Sequence, residues 1–306
     1  MNDLQLRAKA EVCAIVVSYQ PDLSRLQALL QNLVLQAQAV LLVDNGSHMQ
    51  PQLQDLAQQC GAHALLLPQN IGLAAGFNRG IAWAQARGAS HVLLSDQDSA
   101  PSPPMLRQLL ATEARLLAQG VPLAALGPAF VDVKTGRIGD VIGPERWYTR
   151  RKHHAEVDKL MRAAYLISSG QLIRTSVLQQ VGNMHEEFFI DGVDIEWCLR
   201  AASLGLQCFC VCDAVMQHDL GEAVSQVGQR QIALHSPLRH YYIVRNSVLM
   251  LRMPHIPWRF KVSEAAKTLR RLLAFSLLCR PRHLHLQWML RGLWHGVRGK
   301  SGAATT

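Results

Sequence analysis

The chain has 306 residues, 49% hydrophobic and 17% charged, a composition that excludes a disordered or fibrous protein and suffices for one large α/β domain with an appendage. Its net charge of +9 sits at one end: residues 251–300 carry eleven Lys or Arg against Glu264 alone, so the basicity belongs to the tail and not to the main fold. The first dozen residues lack an apolar core of signal-peptide length and no run reaches the ~18 apolar residues of a bilayer span, so neither export nor membrane crossing is expected.

Val12 to Val17 is an unbroken apolar run. Ser18-Tyr19-Gln20-Pro21-Asp22 follows, and then Leu23, Leu26, Leu30, Leu33 and Val34 recur at helical spacing, which predicts strand, loop and helix. Ala39 to Val43 reads as a second strand, Asp44-Asn45-Gly46-Ser47 as a turn, and Pro51 to Cys60 as a helix closed by Gly61. A third strand over His63 to Leu67 leads through Pro68 to Gly80 into a helix ending near Arg87, and His91 to Ser95 is a fourth strand. Such alternation implies parallel pairing with right-handed crossovers. Beyond a helix over Met105 to Gln119 the alternation breaks down. Val121 to Val133, Ala163 to Ile173 and Gln207 to Val215 read as strands of a mixed second half, with a helix from Val193 to Leu204 before the last.

The seven cysteines, Cys13, Cys60, Cys198, Cys208, Cys210, Cys212 and Cys279, form no small-domain disulfide framework, and a reducing, cytosolic compartment is expected. Cys208, Cys210 and Cys212 would share one face of a strand, where core packing is a better account than zinc. The short polar end, Ser301 to Thr306, is expected to be disordered.

The run His91-Val-Leu-Leu-Ser-Asp96-Gln97-Asp98-Ser99 ends abruptly in Asp-x-Asp. In a parallel sheet a strand's carboxyl end opens into the ligand crevice, and hard oxygen donors there suit Mg²⁺ or Mn²⁺ bridging nucleotide phosphates. A plain turn before Pro101 is the alternative. Neither Gly-x-Gly-x-x-Gly after the first strand nor a P-loop is present, which excludes the usual NAD and P-loop sites. Asp44-Asn45 ends the second strand, where a carboxylate can accept the imide N–H of uracil or thymine, or merely shape a turn.

Gly72, Gly76 and Gly80, spaced four apart after Asn70, permit close backbone approach and present a helix N-terminus to a polar ligand. Tight helix-to-sheet packing is a compatible reading of the same spacing. Phe188-Phe-Ile-Asp191-Gly-Val-Asp194-Ile-Glu196-Trp-Cys-Leu-Arg200 places three acids at a helix start, with Asp191 as N-cap and Asp194 at the third helical position. Its aromatic lead-in implies a partly desolvated carboxylate, a better base than an exposed one. His218, just past another apolar strand, is either a surface imidazole or the completion of a metal site begun by Asp98.

Taken together, residues 12 to 250 resemble a family 2 inverting glycosyltransferase of the GT-A fold, and within that family bacterial rhamnosyltransferases, on Leu-Ser-Asp-Gln-Asp-Ser and Phe-Ile-Asp-Gly-Val-Asp-Ile-Glu-Trp-Cys-Leu-Arg. The resemblance implies an α/β fold with a central mixed, mostly parallel sheet flanked by helices. It makes Val17, Ser18 and Tyr19 the opening of the nucleotide pocket, Asp44 its base reader with Asn45 beside it, and Asn70, Gly72, Asn78 and Arg79 the lining of the nucleotide-sugar site. Asp96 and Gln97 would contact the ribose or sugar, Asp98 would ligate the metal directly with Asp96 near it, and His218 would match a histidine that some members use on the metal. Asp194 matches the general base. Many relatives have Glu-Asp where this chain has Val193-Asp194, which leaves Asp191 as a substitute base or acceptor contact. Ser168-Ser169-Gly170, Glu196 and Arg245-Asn246 would be weaker acceptor or diphosphate contacts.

The tail forms a second region, 251–306 after a transferase domain over 1–250, and mixes Arg259, Lys261, Lys267, Arg270, Arg271, Arg280 and Arg282 with Trp258, Leu269, Leu272, Leu273, Phe275, Leu277, Leu278, Trp288 and Trp294. That is the make-up of basic amphipathic helices at a membrane surface, through residues 251–300, or of a helical hairpin covering the domain. No base-reading motif accompanies the charge, so nucleic acid is not an expected partner. The expected activity is transfer of a sugar, L-rhamnose from dTDP-L-rhamnose, to a lipid-linked or polysaccharide acceptor at the cytoplasmic face of a bacterial membrane. A UDP-hexose donor, or a silent glycan-binding scaffold, are the other readings.

Overall fold

In the computed structural model, which describes residues 11–132, 139, 141–143, 151–152, 159–218, 224–227, 230–233, 236–278 and 281–304, strands and helices alternate through the first third of the chain as the apolar runs predict. These are β1 (Val12–Ser18), α1 (Leu23–Gln36), β2 (Ala39–Asp44), α2 (Gln50–Gln59), β3 (His63–Leu66), α3 (Leu73–Gln85) and β4 (His91–Asp96). Then follow β5 (Ser99–Pro101), α4 (Met105–Ala118), β6 (Leu123–Asp132), β7 (Val141–Ile142), β8 (Arg151–Lys152), β9 (Leu160–Ala163), β10 (Gln171–Arg174), α5 (Thr175–Val181), a 3₁₀ turn at Glu186–Phe188 and α6 (Val193–Ser203). The chain continues as β11 (Gln207–His218), β12 (Val224–Val227), β13 (Arg230–Ala233), α7 (Pro237–Arg252), α8 (Trp258–Leu278) and α9 (Arg282–Val297).

The main sheet runs β3-β2-β1-β4-β10-β6-β11-β5, with β9 also on β11. β1 to β4 are mutually parallel. β10 runs against both β4 and β6, while β11 is parallel to β6 and antiparallel to β5 and β9. The chain leaves β1 for β2 on one side and later returns to β4 on the other. The carboxyl ends of β1 and β4 therefore flank the topological switch point, where an open α/β sheet leaves a crevice.

Each face of the sheet carries its own core, because side chains alternate along a strand. Cys13, Ile15 and Val17 of β1 pack with Phe77, Ile81 and Trp197, and Val12, Ala14 and Val16 with Leu26, Leu30, Leu33 and Leu109. The glycine row of α3 serves this packing: Gly80 lies against Ile15 and Gly76 against Val17, with no room for a Cβ at either.

Some expectations need correction. Ala163 to Ile173 is not one strand. It divides into β9 and β10 because Gly170 takes φ +78° with Pro128 and Met216 too close for any Cβ, which turns the chain at Ser168-Ser169-Gly170. The polar end is ordered as far as Ala304, since the Gly302 N–H donates to Glu187 O at 2.8 Å and the Ala304 N–H to the Tyr242 hydroxyl at 2.8 Å. α8 and α9 pack with α7, and α9 approaches α7 closely because Gly292 and Gly296 present bare backbone to Tyr241, Arg245 and Val248. Cys208 and Cys210 are buried in the core with Cys212 packed against it, and all three are free thiols, as are Cys13, Cys60 and Cys198; Cys279 lies outside the described residues. Among the described residues no helix is long and apolar enough to cross a membrane.

Gly80→Ala should destabilise the protein by about 1–3 kcal/mol, because a methyl group there overlaps Ile15 in a filled core. Chemical denaturation measures this, and pairing with Ile15→Val should recover part of the loss.

Candidate active site

A cleft of about 930 Å³ opens at the switch point. β1 and the turn after it supply Val17, Ser18, Tyr19, Asp22 and Arg25; the end of β2 supplies Asn45; and the approach to α3 supplies Asn70, Gly72 and Leu73. The end of β4 contributes Asp96, Gln97 and Asp98. The opposite wall is Ile167, Ser168, the segment Phe189 to Ile195 with Asp191 and Asp194, and Arg239 from α7. Gln97 ties the first two strand ends together, its Oε1 accepting from the Tyr19 N–H at 2.7 Å.

Two serines join the carboxylates across the cleft. The Ser168 hydroxyl donates to Asp96 Oδ1 at 3.3 Å while its backbone N–H donates to Asp194 Oδ2 at 3.2 Å. The Ser169 hydroxyl donates to Asp96 Oδ2 at 2.8 Å and lies 2.6 Å from Ser99 Oγ. Burial pushes the Asp194 carboxyl up to about 6, and the charge of Asp96 adds to the effect, against the N–H groups of Ile195 and Ser168 that favour ionisation. A carboxylate so poised is half ionised near pH 6 and is a stronger base than an exposed one.

Several expected contacts lie elsewhere. Asp44 is fully buried and does not border the cleft, because the Ser18 hydroxyl, the Ser47 hydroxyl and N–H, and the Gln50 amide all donate to its two oxygens. It holds the turn, and its neighbour Asn45 faces the cleft instead. Asn45 Oδ1 accepts from the Ile71 N–H and its amide donates to Asn70 Oδ1, which leaves one lone pair and one N–H of an amide that can serve an imide edge. Asn78 is buried and braces the main chain at Met184 and the Glu186 carboxylate. Arg79 is on the exposed side of α3 and not in the cleft.

Ser169 and Gly170 lie behind the lining, the first holding Asp96 and the second making the turn. Glu196 is fully buried in an ion pair with Arg200, its Oε1 2.9 Å from Nε, with His255 Nε2 2.8 Å away, so it cannot meet an acceptor. Arg245 is likewise fully buried, its guanidinium spent on the carbonyls of Glu187, Phe188 and Gly302. Asp191 does not cap α6. Gly192 is the N-cap, Asp194 is the second helical residue, and Asp191 at φ +65° turns its Oδ1 to 3.4 Å from Arg239 Nε. His218 ends β11 opposite Ser99, and its side chain lies outside the described residues.

Asp22, Arg25, Ser168, Phe189 and Arg239 also line the cleft. Asp22 had a local cue, as the N-cap that accepts from the Arg25 N–H. Arg239 had none, since it arrives from a helix distant in sequence.

No three His, Cys, Asp or Glu side chains gather as a metal cage among the described residues. The lining nevertheless fits a divalent cation. It presents the carboxylates of Asp22, Asp96, Asp98, Asp191 and Asp194 against two guanidinium groups, a field that repels a bare diphosphate. Mg²⁺ and its relatives are commonly held by one or two carboxylates plus substrate phosphates, and Asp98 beside Asp96 can supply these.

An acidic cleft at the carboxyl ends of β1 and β4, in a sheet of this order, defines a GT-A type transferase fold. Residues 13–182 match the family described as glycosyl transferase family 2. The chain belongs to that family and is a glycosyltransferase. It is 29% identical over 299 residues to the dTDP-rhamnosyl transferase RfbF of Shigella flexneri, a match covering 96% of this chain and 97% of that protein. Its fold is similar to that of S. aureus TarS 1-349 in complex with UDP-GlcNAc, with a TM-score of 0.59 at 17% identity over 95% of this chain and 81% of that one. It is also similar to GalNAc-T7 with UDP, GalNAc and Mn²⁺, with a TM-score of 0.53 at 11% identity over 89% of this chain and 58% of that one.

The raised Asp194 fixes a sign for stability. Its folded-state value of about 6 lies above that of an unfolded aspartate, so its charge costs stability above that pH, and the cost is relieved as pH falls towards the unfolded value. Asp194→Asn should therefore melt a few degrees higher than the parent at about pH 8 and with no advantage at about pH 4. Thermal unfolding at the two pH values tests it.

Proposed function

We propose that this glycosyltransferase moves L-rhamnose from dTDP-L-rhamnose to a lipid-linked or polysaccharide acceptor with inversion at the anomeric carbon. The observation that carries this reading is the serine bridge, which holds the Asp-x-Asp end of β4 and the raised carboxylate Asp194 on one cleft. The nucleoside would enter between Tyr19, Asn45 and Asn70, with Asn45 replacing Asp44 as the group that reads the imide edge of the base. Asp96, Gln97 and Asp98 would then face ribose, sugar and diphosphate.

Inversion is a single displacement. An acceptor hydroxyl gives its proton to Asp194, its oxygen forms the bond to the anomeric carbon, and the nucleoside diphosphate departs with the electron pair of the broken bond. Such a base contributes a factor of about 10² to 10⁴. The burial of Asp194, on a wall that also carries Ile167, Ile190 and Ile195, sustains its basicity. A divalent ion, Mg²⁺ or Mn²⁺, held by Asp98 with Asp96 would supply charge neutralisation to the leaving group. The similarity to the Shigella flexneri rhamnosyl transferase supports thymidine and rhamnose; a UDP-hexose is the second donor, since the fold also carries UDP-GlcNAc in TarS.

The acceptor reading extends to a membrane surface at the cytoplasmic face. Trp258, Val262, Leu269 and Leu273 recur along one side of α8, and Leu286, Leu290, Trp294 and Val297 along α9, all exposed. Exposed Arg259, Arg270, Arg282, Arg298 and Lys300 lie among them. Apolar side chains bordered by cations suit an anionic headgroup layer, at about 1 kcal/mol for each Lys or Arg near the surface.

Calorimetry with a panel of nucleotide sugars and Mn²⁺ should favour dTDP-L-rhamnose. Asp98→Asn should lose the cation-dependent part of that binding. Asp194→Asn should bind donor within about threefold of the parent yet lose transfer by about 10² or more. Near-normal transfer by Asp194→Asn would return the role of base to Asp191. Full-length protein should float with phosphatidylglycerol vesicles, and a variant with Trp258, Leu273, Leu290 and Trp294 changed to Ser should not; equal flotation contradicts the membrane reading.

A further inference from the structure

The wall of the cleft that carries the acids is built on a strained backbone. Phe189 has φ +63° and ψ −64°, and the Ile190 N–H donates to Phe188 O at 2.7 Å, which together make a γ-turn of the rare, strained hand. Asp191 at φ +65° and Gly192 at φ +81° follow directly. A non-glycine residue in such a conformation is strained and persists only where neighbours over-determine it.

Those neighbours lie outside the matched family segment, which ends at residue 182. The Asn246 amide nitrogen lies within hydrogen-bonding distance of three carbonyls, Phe188 O at 2.9 Å, Ile190 O at 2.6 Å and Asp191 O at 2.8 Å. The Arg245 guanidinium donates to Phe188 O at 2.8 Å and Glu187 O at 3.1 Å, and to Gly302 O. Gly302 closes the circuit, donating its own N–H back to Glu187 O at 2.8 Å. Tyr242 stacks on the Phe189 ring at 5.0 Å and 11°, and its hydroxyl accepts from the Ala304 N–H. On the far side Phe189 O accepts from the first N–H of α3, Leu73, at 2.6 Å, beside the nucleotide end of the cleft.

We propose that Arg245, Asn246 and the terminal strap around Gly302 are positioning residues for the transfer reaction: they clamp the carbonyls of Glu187 to Asp191 so that the turn delivers Asp191 and Asp194 into the cleft. None of the three borders the cleft, so they act through the turn and not on substrate. The inference rests on the transferase reading above for the chemistry, but the clamp itself is read from the hydrogen bonds.

Full-length Gly302→Pro is the discriminating variant, because proline has no N–H for Glu187 O and cannot adopt φ +76°, while the strap lies at the surface and its loss should leave the fold intact. Arg245→Lys approaches the same carbonyls from α7. In Gly302→Pro, amide exchange across residues 186–194 should rise about tenfold or more while β1 to β4 keep their protection. Turnover of the nucleotide sugar selected by the calorimetric panel, followed as donor hydrolysis, should fall about tenfold or more in kcat with KM within about threefold. Unchanged exchange overturns the clamp; raised exchange with intact kcat, or a loss confined to KM, overturns its role in positioning. Asp194→Asn, run in parallel, should lose turnover without faster exchange. If Asp194→Asn turns over normally, the assignment of the base fails while Gly302→Pro still decides the clamp.

Discussion

Asp96 and Asp194 come from opposite halves of the chain, and each brings a negative charge into a partly dehydrated cleft. Left without donors, two carboxylates so close would repel one another and draw the walls apart. Ser168 and Ser169 set against this repulsion two hydroxyl groups and a backbone N–H. They can do so only because Gly170 turns the chain between β9 and β10, and because β10 inserts antiparallel between β4 and β6. The mixed second half of the sheet thus places a donor-rich turn beside the acidic end of a parallel strand.

Much of this was legible in the sequence, for a physical reason. Buried parallel strands are continuous apolar runs, and a run that stops on polar residues marks the strand end where a crevice opens, so Asp96 to Asp98 could be placed at a ligand crevice from the pattern alone, whereas Val17 to Tyr19 joined them through the family resemblance. What could not be read is which of two adjacent polar residues turns inward once the strand's alternation ends. Asp44 and Asn45 differ by a single step, and the choice is made by Ser18, Ser47 and Gln50, which converge on Asp44 from three elements. Asp191 failed differently. Its spacing to α6 suits an N-cap, but tertiary donors from α7 pull its backbone into the left-handed region, and local pattern carries no trace of a helix that far along the chain. Asn78, Arg79 and Glu196 sit in the expected elements and face other surroundings, since sequence gives the helix and not the direction from which neighbours approach it.

Charge is divided between two surfaces. The cleft gathers carboxylates and the terminal helices gather Arg and Lys, so the small net charge of residues before 251 conceals a strongly negative local field. Such a field would suit a divalent cation as partner of a diphosphate even without a three-residue cage among the described residues, because Mg²⁺ and its relatives take many of their ligands from phosphate and water.

A division of the chain at residue 250 separates composition but not structure. The strained turn at Phe189 points the carbonyls of Phe188, Ile190 and Asp191 inward, where each needs a donor; Phe188 O accepts from the turn's own Ile190 N–H, and Arg245 and Asn246 of α7 supply the side-chain donors to all three carbonyls. α7 meets that need from its buried side while it also packs with α8 and with α9, whose glycines admit its backbone. The strap after α9 then returns to Glu187. The helices that carry the exposed apolar and basic side chains are therefore mechanically continuous with the wall that holds Asp194. A domain cut before α7 would keep the side of the cleft formed by the ends of β1, β2 and β4 and would lose the Arg245 and Asn246 donors that support the turn on its opposite wall.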